Sequence, residues 1–321
     1  MGRMDDIAGN TTNFPDVPSM ATIPMEDGMP DAERYILMTM YSLVLVIGTC
    51  GTGLMINTLK SNTRSVTTMA VINLIIAHMM FLLTVPFRMY FYAANHWSLG
   101  RGFCNFISMM VHAHMYIAFI FYVIILLVRY VTFFRHRDKL EFYRRLHALA
   151  ASLVVWVVIL LIIFPVTLTE YGVETTNGTA VVDQCFVFGE ALKDVGISVI
   201  NYLLCAVVML VTCVLLAVQL WILGVVYKKH GKLALHHQEF QAQLKSLSFV
   251  MIMLVCFVPY HAFRVYYVST FVRQTNEEML DRLELKNEIF LAVTAFSACD
   301  MLLFISNIRW KNVLSRCCFC K

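Results

Sequence analysis

Charged side chains are scarce in this 321-residue chain. They make up 14% of the residues, whereas 59% are hydrophobic. A soluble globular domain carries roughly 25% charged residues, so this composition excludes that class. The chain also lacks internal repeats and low-complexity tracts. No positively charged start is followed by an apolar core, so we expect no cleavable signal peptide.

Seven long apolar stretches fill most of the chain instead: 35–59, 65–87, 104–129, 148–169, 195–227, 246–263 and 289–308. A helix of about 20 apolar residues crosses the hydrocarbon core of a bilayer. The sequence therefore predicts an all-α membrane protein, a seven-transmembrane-helix bundle over residues 35–308. It also predicts an N-terminal tail over 1–34 and a C-terminal segment over 309–321, which begins with a short amphipathic eighth helix.

The third stretch, from Cys104 to Arg129, orients the bundle. It contains no Asp, Glu, Lys or Arg between its two ends, and at 1.5 Å per residue it spans about 37 Å as a tilted helix. Disulfides form at the oxidising extracellular face of a membrane, so Cys104 marks the outer end of the helix. The arginine side chain is costly in lipid, so Arg129 is expected at the inner end, where it reaches water or a polar partner. Basic residues concentrate in the connectors on the Arg129 side, which places the N-terminus outside a plasma membrane. The basic net charge therefore gives no reason to expect a nucleic-acid partner.

Modification sites follow from that orientation. Of the ten cysteines, only Cys104 and Cys185 fall in or beside connectors on the predicted outer side, where they can pair with each other. Two glycosylation sequons, at Asn10 and Asn177, lie on the same side. Fatty acylation is expected beyond the last span, at Cys317, Cys318 and Cys320.

The order and spacing of several residues resemble the sequence pattern of a known family. Trp97-x-Leu-Gly100 precedes Cys104, Arg129-Tyr130 follows twenty-five residues later, and the sixth stretch carries Cys256-Phe-Val-Pro-Tyr-His261. This order resembles the rhodopsin-like (class A) G-protein-coupled receptors, in their purinergic-like branch, from residue 35 to the end. The resemblance implies a receptor that binds a ligand in its outer cavity and a heterotrimeric G protein at its inner face, within membrane lipid. It implies no enzymatic activity and no cofactor.

The inner end departs from the family pattern. Val128 stands where the family usually has an acidic residue before the arginine, and Glu239 matches a position that pairs with this arginine. We expect an Arg129–Glu239 ion pair, with independent solvation of the two side chains as the alternative. Phe257 occupies the usual Trp position, and Pro259 provides a bend in the sixth helix.

The centre of the membrane departs as well. His78 stands where the family has an Asp, and the last helix reads Asp300-Met-Leu-Leu-Phe304 where Asn-Pro-x-x-Tyr is usual. In the family these two positions face each other beside a sodium ion, whose further positions are here His114 and Ala118. We expect a His78–Asp300 hydrogen bond and no metal site, with the pair serving either structure or proton sensing.

Basic and polar residues gather near the outer end, where Val111 replaces the Asp of amine receptors. The predicted ligand site comprises Arg88, His112, Tyr260, His261, Arg264 and Lys286. The His261-x-x-Arg264 pattern resembles the phosphate-binding segment of purinergic receptors. An anionic ligand follows, either a nucleotide or a lipid with a phosphate or carboxylate. Alternatively, Arg264 and Lys286 pair with the acidic residues between Glu277 and Glu288.

Two competing functions remain open at this stage. The same fold with altered switch residues, among them Val128 and Phe304, suits a weakly coupling or constitutively biased receptor without a conventional agonist. A seven-helix transporter or intramembrane hydrolase would show inverted repeats, broken helices or a His-Glu-x-x-His spacing. The sequence contains none of these patterns.

Overall fold

The computed structural model describes residues 29–59, 66–134, 154, 156–157, 185–186, 190–231 and 238–302. Within these ranges all regular structure is helical, as the sequence predicts. The main elements are α1 (Asp31–Leu59), α2 (Val66–Leu82), α3 (Val85–Ala94), α4 (Arg101–Phe134), α5 (Val195–His230), α6 (Gln238–Ile252), a π-turn (Met253–Phe257), α7 (Val258–Phe271) and α8 (Glu277–Ala295). Short 3₁₀ turns cover Glu190–Lys193 and Phe296–Cys299.

Five helical stretches are long and apolar enough to cross a membrane: 31–59, 68–94, 101–134, 195–230 and 239–271. They coincide with the predicted first, second, third, fifth and sixth spans. Most of the predicted fourth span and the end of the seventh lie outside the described residues. So do the tail to residue 28, the predicted amphipathic eighth helix, Asn10, Asn177, Phe304, Cys317, Cys318 and Cys320.

Helix α4 is the centre of the bundle. Nineteen of its 34 residues are buried, compared with eight of 36 in α5. It packs against α2, α6 and α8. A helix that is apolar around its whole circumference can be enclosed by neighbours on every side, and the uncharged run from Cys104 to Arg129 meets that condition.

The second span is broken at Leu83 and Thr84, and it continues past its predicted end at residue 87 to Ala94. Pro86 has no N–H, so the carbonyl of Leu82 receives no helical hydrogen bond from it. At the break, the Thr84 backbone N–H and hydroxyl both donate to the Phe81 carbonyl, at 2.8 and 2.6 Å. The helix then resumes as α3 and ends at Asn95, which adopts the left-handed conformation.

The sixth span combines two irregularities. Residues Met253–Phe257 form a π-turn, closed by the Val258 N–H on the Met253 carbonyl, and Pro259 follows in the first turn of α7. A π-turn and a proline each disturb the regular ladder of backbone hydrogen bonds. The bend predicted from Pro259 therefore has a second local cause directly before it.

A disulfide joins Cys104 at the start of α4 to Cys185, with the Cα atoms 5.9 Å apart. The pairing expected from the sequence is confirmed. Trp97 packs in the same small cluster and donates to the carbonyl of Gly100, which adopts φ +83°. Phe186, next to Cys185, is buried at φ 74°, an unusual conformation for a bulky residue.

Removing this disulfide is expected to destabilise the protein. The substitution Cys185→Ser frees the segment that carries Phe186, and loss of a native disulfide typically costs about 2–5 kcal/mol. Thermal inactivation of the purified protein and its amount at the cell surface would measure the effect. Cys213→Ser is the matched control, because Cys213 is an exposed free cysteine. Equal stability of the two variants would contradict the expectation.

Candidate functional site

A chain of four polar side chains crosses the buried centre of the bundle. His78 Nε2 lies 3.1 Å from Asp300 Oδ1, and His78 Nδ1 lies 2.9 Å from His114 Nε2. On the other side of the carboxylate, the Tyr122 hydroxyl donates to Asp300 Oδ2 at 2.6 Å. All four are at most 2% exposed. The predicted His78–Asp300 hydrogen bond is present, and it belongs to a longer chain.

The proton positions in this chain follow from the acceptors. When Asp300 is a carboxylate it only accepts, and His78 then donates to it from Nε2. With His78 neutral, its Nδ1 is an acceptor, and His114 must donate from Nε2. His114 Nδ1 then remains an acceptor, and it has no hydrogen-bond partner. Each oxygen of Asp300 thus accepts a hydrogen bond from a neighbouring side chain.

Near the disulfide end, Arg88 on α3 forms a buried ion pair with Glu288 on α8. The Tyr92 hydroxyl donates to the same carboxylate oxygen at 2.6 Å, and Arg88 Nη1 donates to the Tyr41 hydroxyl at 3.1 Å. The Phe186 ring lies 4.2 Å from the guanidinium carbon, as in a cation–π contact. Arg88 is thus a member of the predicted site whose charge a neighbouring carboxylate already compensates.

Arg264 on α7 is also buried, but its described hydrogen bonds go to neutral amides. Its Nε donates to Asn201 on α5 at 3.2 Å, and its Nη1 donates to Asn287 on α8 at 3.1 Å. The Tyr267 ring lies 4.9 Å from the guanidinium carbon. Glu288, one of the acidic residues considered as a partner of Arg264, pairs with Arg88 instead.

His261 lies one helical turn before Arg264 and faces the same way. Its Nδ1 donates to the Phe257 carbonyl at 2.8 Å, whereas its Nε2 has no hydrogen-bond partner. Its ring contacts those of Tyr116 and Tyr260. His112 on α4 is buried as well and lies within electrostatic range of Arg88, His261 and Arg264. Five of the six predicted ligand residues therefore gather at the disulfide end.

Lys286 is the exception. It is exposed, while its neighbours Asn287 and Glu288 are buried. Successive residues on a helix point about 100° apart, so a helix that directs 287 and 288 inward turns 286 away. Lys286 therefore lies on a different face of α8 from Asn287 and Glu288, and its predicted place in the ligand site stays a prediction.

At the opposite end of α4, Arg129 does not pair with Glu239. Its Nη1 donates to the Ser246 hydroxyl at 2.9 Å and to the Ala242 carbonyl at 3.1 Å, both on α6. Glu239 instead lies 3.8 Å from Lys229 Nζ and 3.5 Å from His230 Nε2, at the end of α5. Seven residues separate Glu239 from Ser246, about 10 Å along the helix, which puts the carboxylate beside the basic end of α5.

Sequence reasoning also missed several residues that complete these sites, namely Tyr122, Ser246, Asn201, Asn287 and Phe186. Tyr122 offered one usable signal. It precedes Arg129 by seven residues, or two helical turns, so both lie on one face of α4. The others follow from which helices meet, which the sequence does not state. Among the described residues, no group of three or more His, Cys, Asp or Glu side chains is arranged to hold a metal ion.

A bundle of apolar helices around a central α4, tied by the disulfide at one end and presenting Arg129 at the other, defines a seven-helix receptor. Residues 52–300 match the family model of the 7 transmembrane receptor (rhodopsin family). The chain belongs to this family. It is a multi-pass membrane protein and a signalling receptor, and not an enzyme; the family implies coupling to a G protein at the cytoplasmic face.

Similar proteins are themselves receptors. The chain is 43% identical to the human "Probable G-protein coupled receptor 141", over 84% of this chain and 87% of that protein. It is 25% identical to the chimpanzee (Pan troglodytes) "Probable G-protein coupled receptor 34", over 92% and 79%. It is 22% identical to the human "N-arachidonyl glycine receptor", over 74% and 72%.

Breaking the Arg88–Glu288 pair on one side is expected to be costly. Glu288→Gln leaves a buried guanidinium without its counter-charge, and one-sided removal of a buried pair destabilises by about 3–5 kcal/mol. Thermal inactivation in detergent would report the loss. Glu278→Gln is the matched control, because Glu278 pairs with Arg282 on the exposed surface of the same helix. A similar small effect of both variants would show that the buried pair contributes little.

The contact of Arg129 with Ser246 is expected to restrain α6. Ser246→Ala removes the hydroxyl acceptor, so basal G-protein activation per surface receptor should rise about two- to thirteenfold, because a net hydrogen bond contributes on the order of 0.5–1.5 kcal/mol. Glu239→Gln should leave basal activation unchanged. The reverse pattern, with an effect at Glu239 and none at Ser246, would contradict this expectation and support the Arg129–Glu239 ion pair predicted from the sequence.

Proposed function

We propose that this receptor binds an anionic ligand at the disulfide end of its bundle and activates a heterotrimeric G protein from the Arg129 end. One observation carries the ligand proposal. His261 and Arg264 lie buried on the inward face of α7, one turn apart, and His261 Nε2 has no hydrogen-bond partner. With Nδ1 donating to the Phe257 carbonyl, Nε2 of the neutral ring is an acceptor, so a hydroxyl or N–H group of a ligand can satisfy it while an anionic group of the same ligand accepts from N–H groups nearby.

The charges nearby favour an anion. Asn201 and Asn287 accept hydrogen bonds from Arg264 but bring no charge, and His112 adds a second imidazole to the cluster. Arg88, although paired with Glu288, keeps N–H groups on Nε and Nη2 that have no partner. A phosphate or carboxylate would accept charge-assisted hydrogen bonds here, and these are stronger than neutral ones in a low-dielectric site.

Two ligand classes fit this chemistry: nucleotides, and lipids with an anionic head group. One relative is named for N-arachidonyl glycine, an acyl chain joined to glycine, whose carboxylate is an anion. That name supports including N-acyl amino acids with the phosphate-bearing lipids in any trial.

The same proposal fixes the orientation. We place the disulfide end and the N-terminus outside the cell at the plasma membrane, because a disulfide persists in an oxidising compartment and basic residues concentrate at the opposite end. The predicted glycosylation sites at Asn10 and Asn177 would then face outward.

A second candidate function is a receptor with high basal activity and no conventional agonist. It is favoured by the contacts of Arg129, whose described acceptors are a hydroxyl and a carbonyl rather than a carboxylate. Hydrogen bonds between an ion and a neutral group hold less strongly than an ion pair with good geometry. Weak restraint of α6 would permit signalling without a ligand.

The test is a screen on cells that express the receptor, using nucleoside di- and triphosphates, lysophospholipids and N-acyl amino acids as probes. We expect a response to an anionic probe, and we expect Arg264→Gln to weaken its potency at least tenfold, since the variant keeps hydrogen-bond donors but loses the charge. Lys286→Gln is the matched control: it removes a cation from the exposed face of α8 and should respond as the wild type does.

An anionic agonist that acts equally on wild type and Arg264→Gln, at equal surface expression, would refute the basic site. High basal signalling with no response to any probe would favour the second candidate instead.

A further inference from the structure

We propose that the buried Arg88–Glu288 pair recognises a carboxylate that carries an N–H group close to it, the arrangement found in amino acids and in N-acyl amino acids. This inference rests on the proposed function, because it names the class of anion that the disulfide end would bind. It concerns a pair of residues separate from His261 and Arg264, so the two proposals can be tested apart.

The guanidinium of Arg88 has hydrogen-bond donors left over. Its Nη1 donates to the Glu288 carboxylate and to the Tyr41 hydroxyl. Its Nε and Nη2 have no hydrogen-bond partner among the described residues, although the side chain is fully buried. The N–H groups of Nε and Nη2 lie side by side on one edge of the planar guanidinium. This fork binds a carboxylate through two parallel hydrogen bonds.

The carboxylate of Glu288 has an acceptor left over. Arg88 and the Tyr92 hydroxyl both donate to Oε1, so two donors share one oxygen. Oε2 is buried and has no hydrogen-bond partner within the part of the chain that the structure describes. An ionised carboxylate only accepts, so the group that satisfies Oε2 has to be a donor.

The two unmet requirements lie next to each other. Nε and Nη2 of Arg88 are each two covalent bonds from Nη1, and Oε2 of Glu288 is two bonds from Oε1, while Nη1 and Oε1 are in direct contact. One small head group can therefore reach both sides of the pair. Buried charged groups with unmet hydrogen bonds are costly, and a head group that supplies both an acceptor and a donor removes that cost.

Glu288 makes the site selective among anions. An ionised phosphate monoester on the free edge of Arg88 would bring further negative oxygens towards Oε2, and like charges repel in a low-dielectric site. A carboxylate with a neighbouring N–H instead offers an acceptor to Arg88 and a donor to Glu288. The free amino acid and the N-acyl amino acid share this chemistry and differ in whether an acyl chain follows the nitrogen.

The experiment measures thermal unfolding of the purified full-length receptor in detergent against the concentration of four probes. N-oleoylglycine is compared with its ester analogue 2-(oleoyloxy)acetic acid, and glycine is compared with glycine betaine. Within each pair the carboxylate is kept and the N–H is lost. We expect the member with the N–H to bind at least tenfold more tightly in one pair, because its partner cannot donate to the buried, charged Oε2. The pair that binds identifies the source as lipid or free amino acid.

A substitution then tests whether Glu288 reads the N–H group. In Glu288→Gln, the side-chain amide can turn either its carbonyl or its N–H₂ group towards the ligand, so the preference within the binding pair should fall to about twofold or less. Glu278→Gln is the matched control on the exposed surface of the same helix and should keep the preference of wild type. Because Glu288→Gln is also expected to lower stability, the comparison of probes on the wild type decides the proposal without it.

Three outcomes would overturn the inference. Equal affinity within the binding pair would show that the N–H group is not recognised, while an anion site would still stand. Binding of nucleotides or lysophospholipids, with none of the four probes bound, would refute this ligand class and leave the proposed function in place. Absence of binding by any anion, nucleotides and lysophospholipids included, would refute both proposals.

Discussion

Polar and charged groups buried in a low-dielectric interior need hydrogen-bond or charge partners, and this requirement decides how the helices of the bundle meet. Asp300 accepts hydrogen bonds from two other helices, from His78 on α2 and from Tyr122 on α4. Arg88 and Glu288 compensate each other between α3 and α8. Each of these contacts joins segments that are far apart in the chain. Apolar packing brings the helices together without fixing their rotation, whereas a buried carboxylate is satisfied only where its donors converge.

The two ends of the bundle meet this requirement differently. At the disulfide end, the residues around Arg264 accept its hydrogen bonds with neutral amides, and Phe186 is fixed above Arg88 by the neighbouring disulfide. At the other end, Arg129 bonds to the hydroxyl and carbonyl of α6. The first arrangement suits recognition of an anion, and the second suits contacts that separate without leaving an isolated carboxylate behind.

Much of this architecture follows from the sequence, for physical reasons that also explain the errors. Apolar runs of sufficient length predict membrane-spanning helices, because a helix makes its backbone hydrogen bonds within its own segment and needs no water in lipid. His78 and Asp300 could be paired in advance because each is costly alone. The predicted Arg129–Glu239 pair does not form because the basic end of α5 lies beside Glu239, a contact between helices that the sequence of α4 and α6 does not reveal. Matching the sequence to the family placed Lys286 on α8, but such a match does not specify which face of the helix the side chain lies on.

Other features depend on tertiary contacts that no local pattern contains. Ser246 and Tyr122 lie within apolar runs and are unremarkable as residue types, yet each places one hydroxyl at the meeting point of two helices. The second span was predicted to end at residue 87, close to Pro86, because proline stops many helices. The helix instead resumes after the break at Thr84 and continues to Ala94.

The proline and the π-turn make the backbone of the sixth span less regular than that of α5 beside it, and this difference has a mechanical consequence. Helix α5 runs unbroken from Val195 to His230 and contains no proline, so it offers a stiff neighbour. The segment from Pro259 back to Gln238 is a lever arm of 21 residues, about 31 Å long at 1.5 Å per residue. A rotation of about 10° at its pivot displaces the free tip by about 5 Å, comparable with one helical pitch. A small angular change at Pro259 therefore becomes a displacement of several ångströms at the end of α6 that carries Glu239.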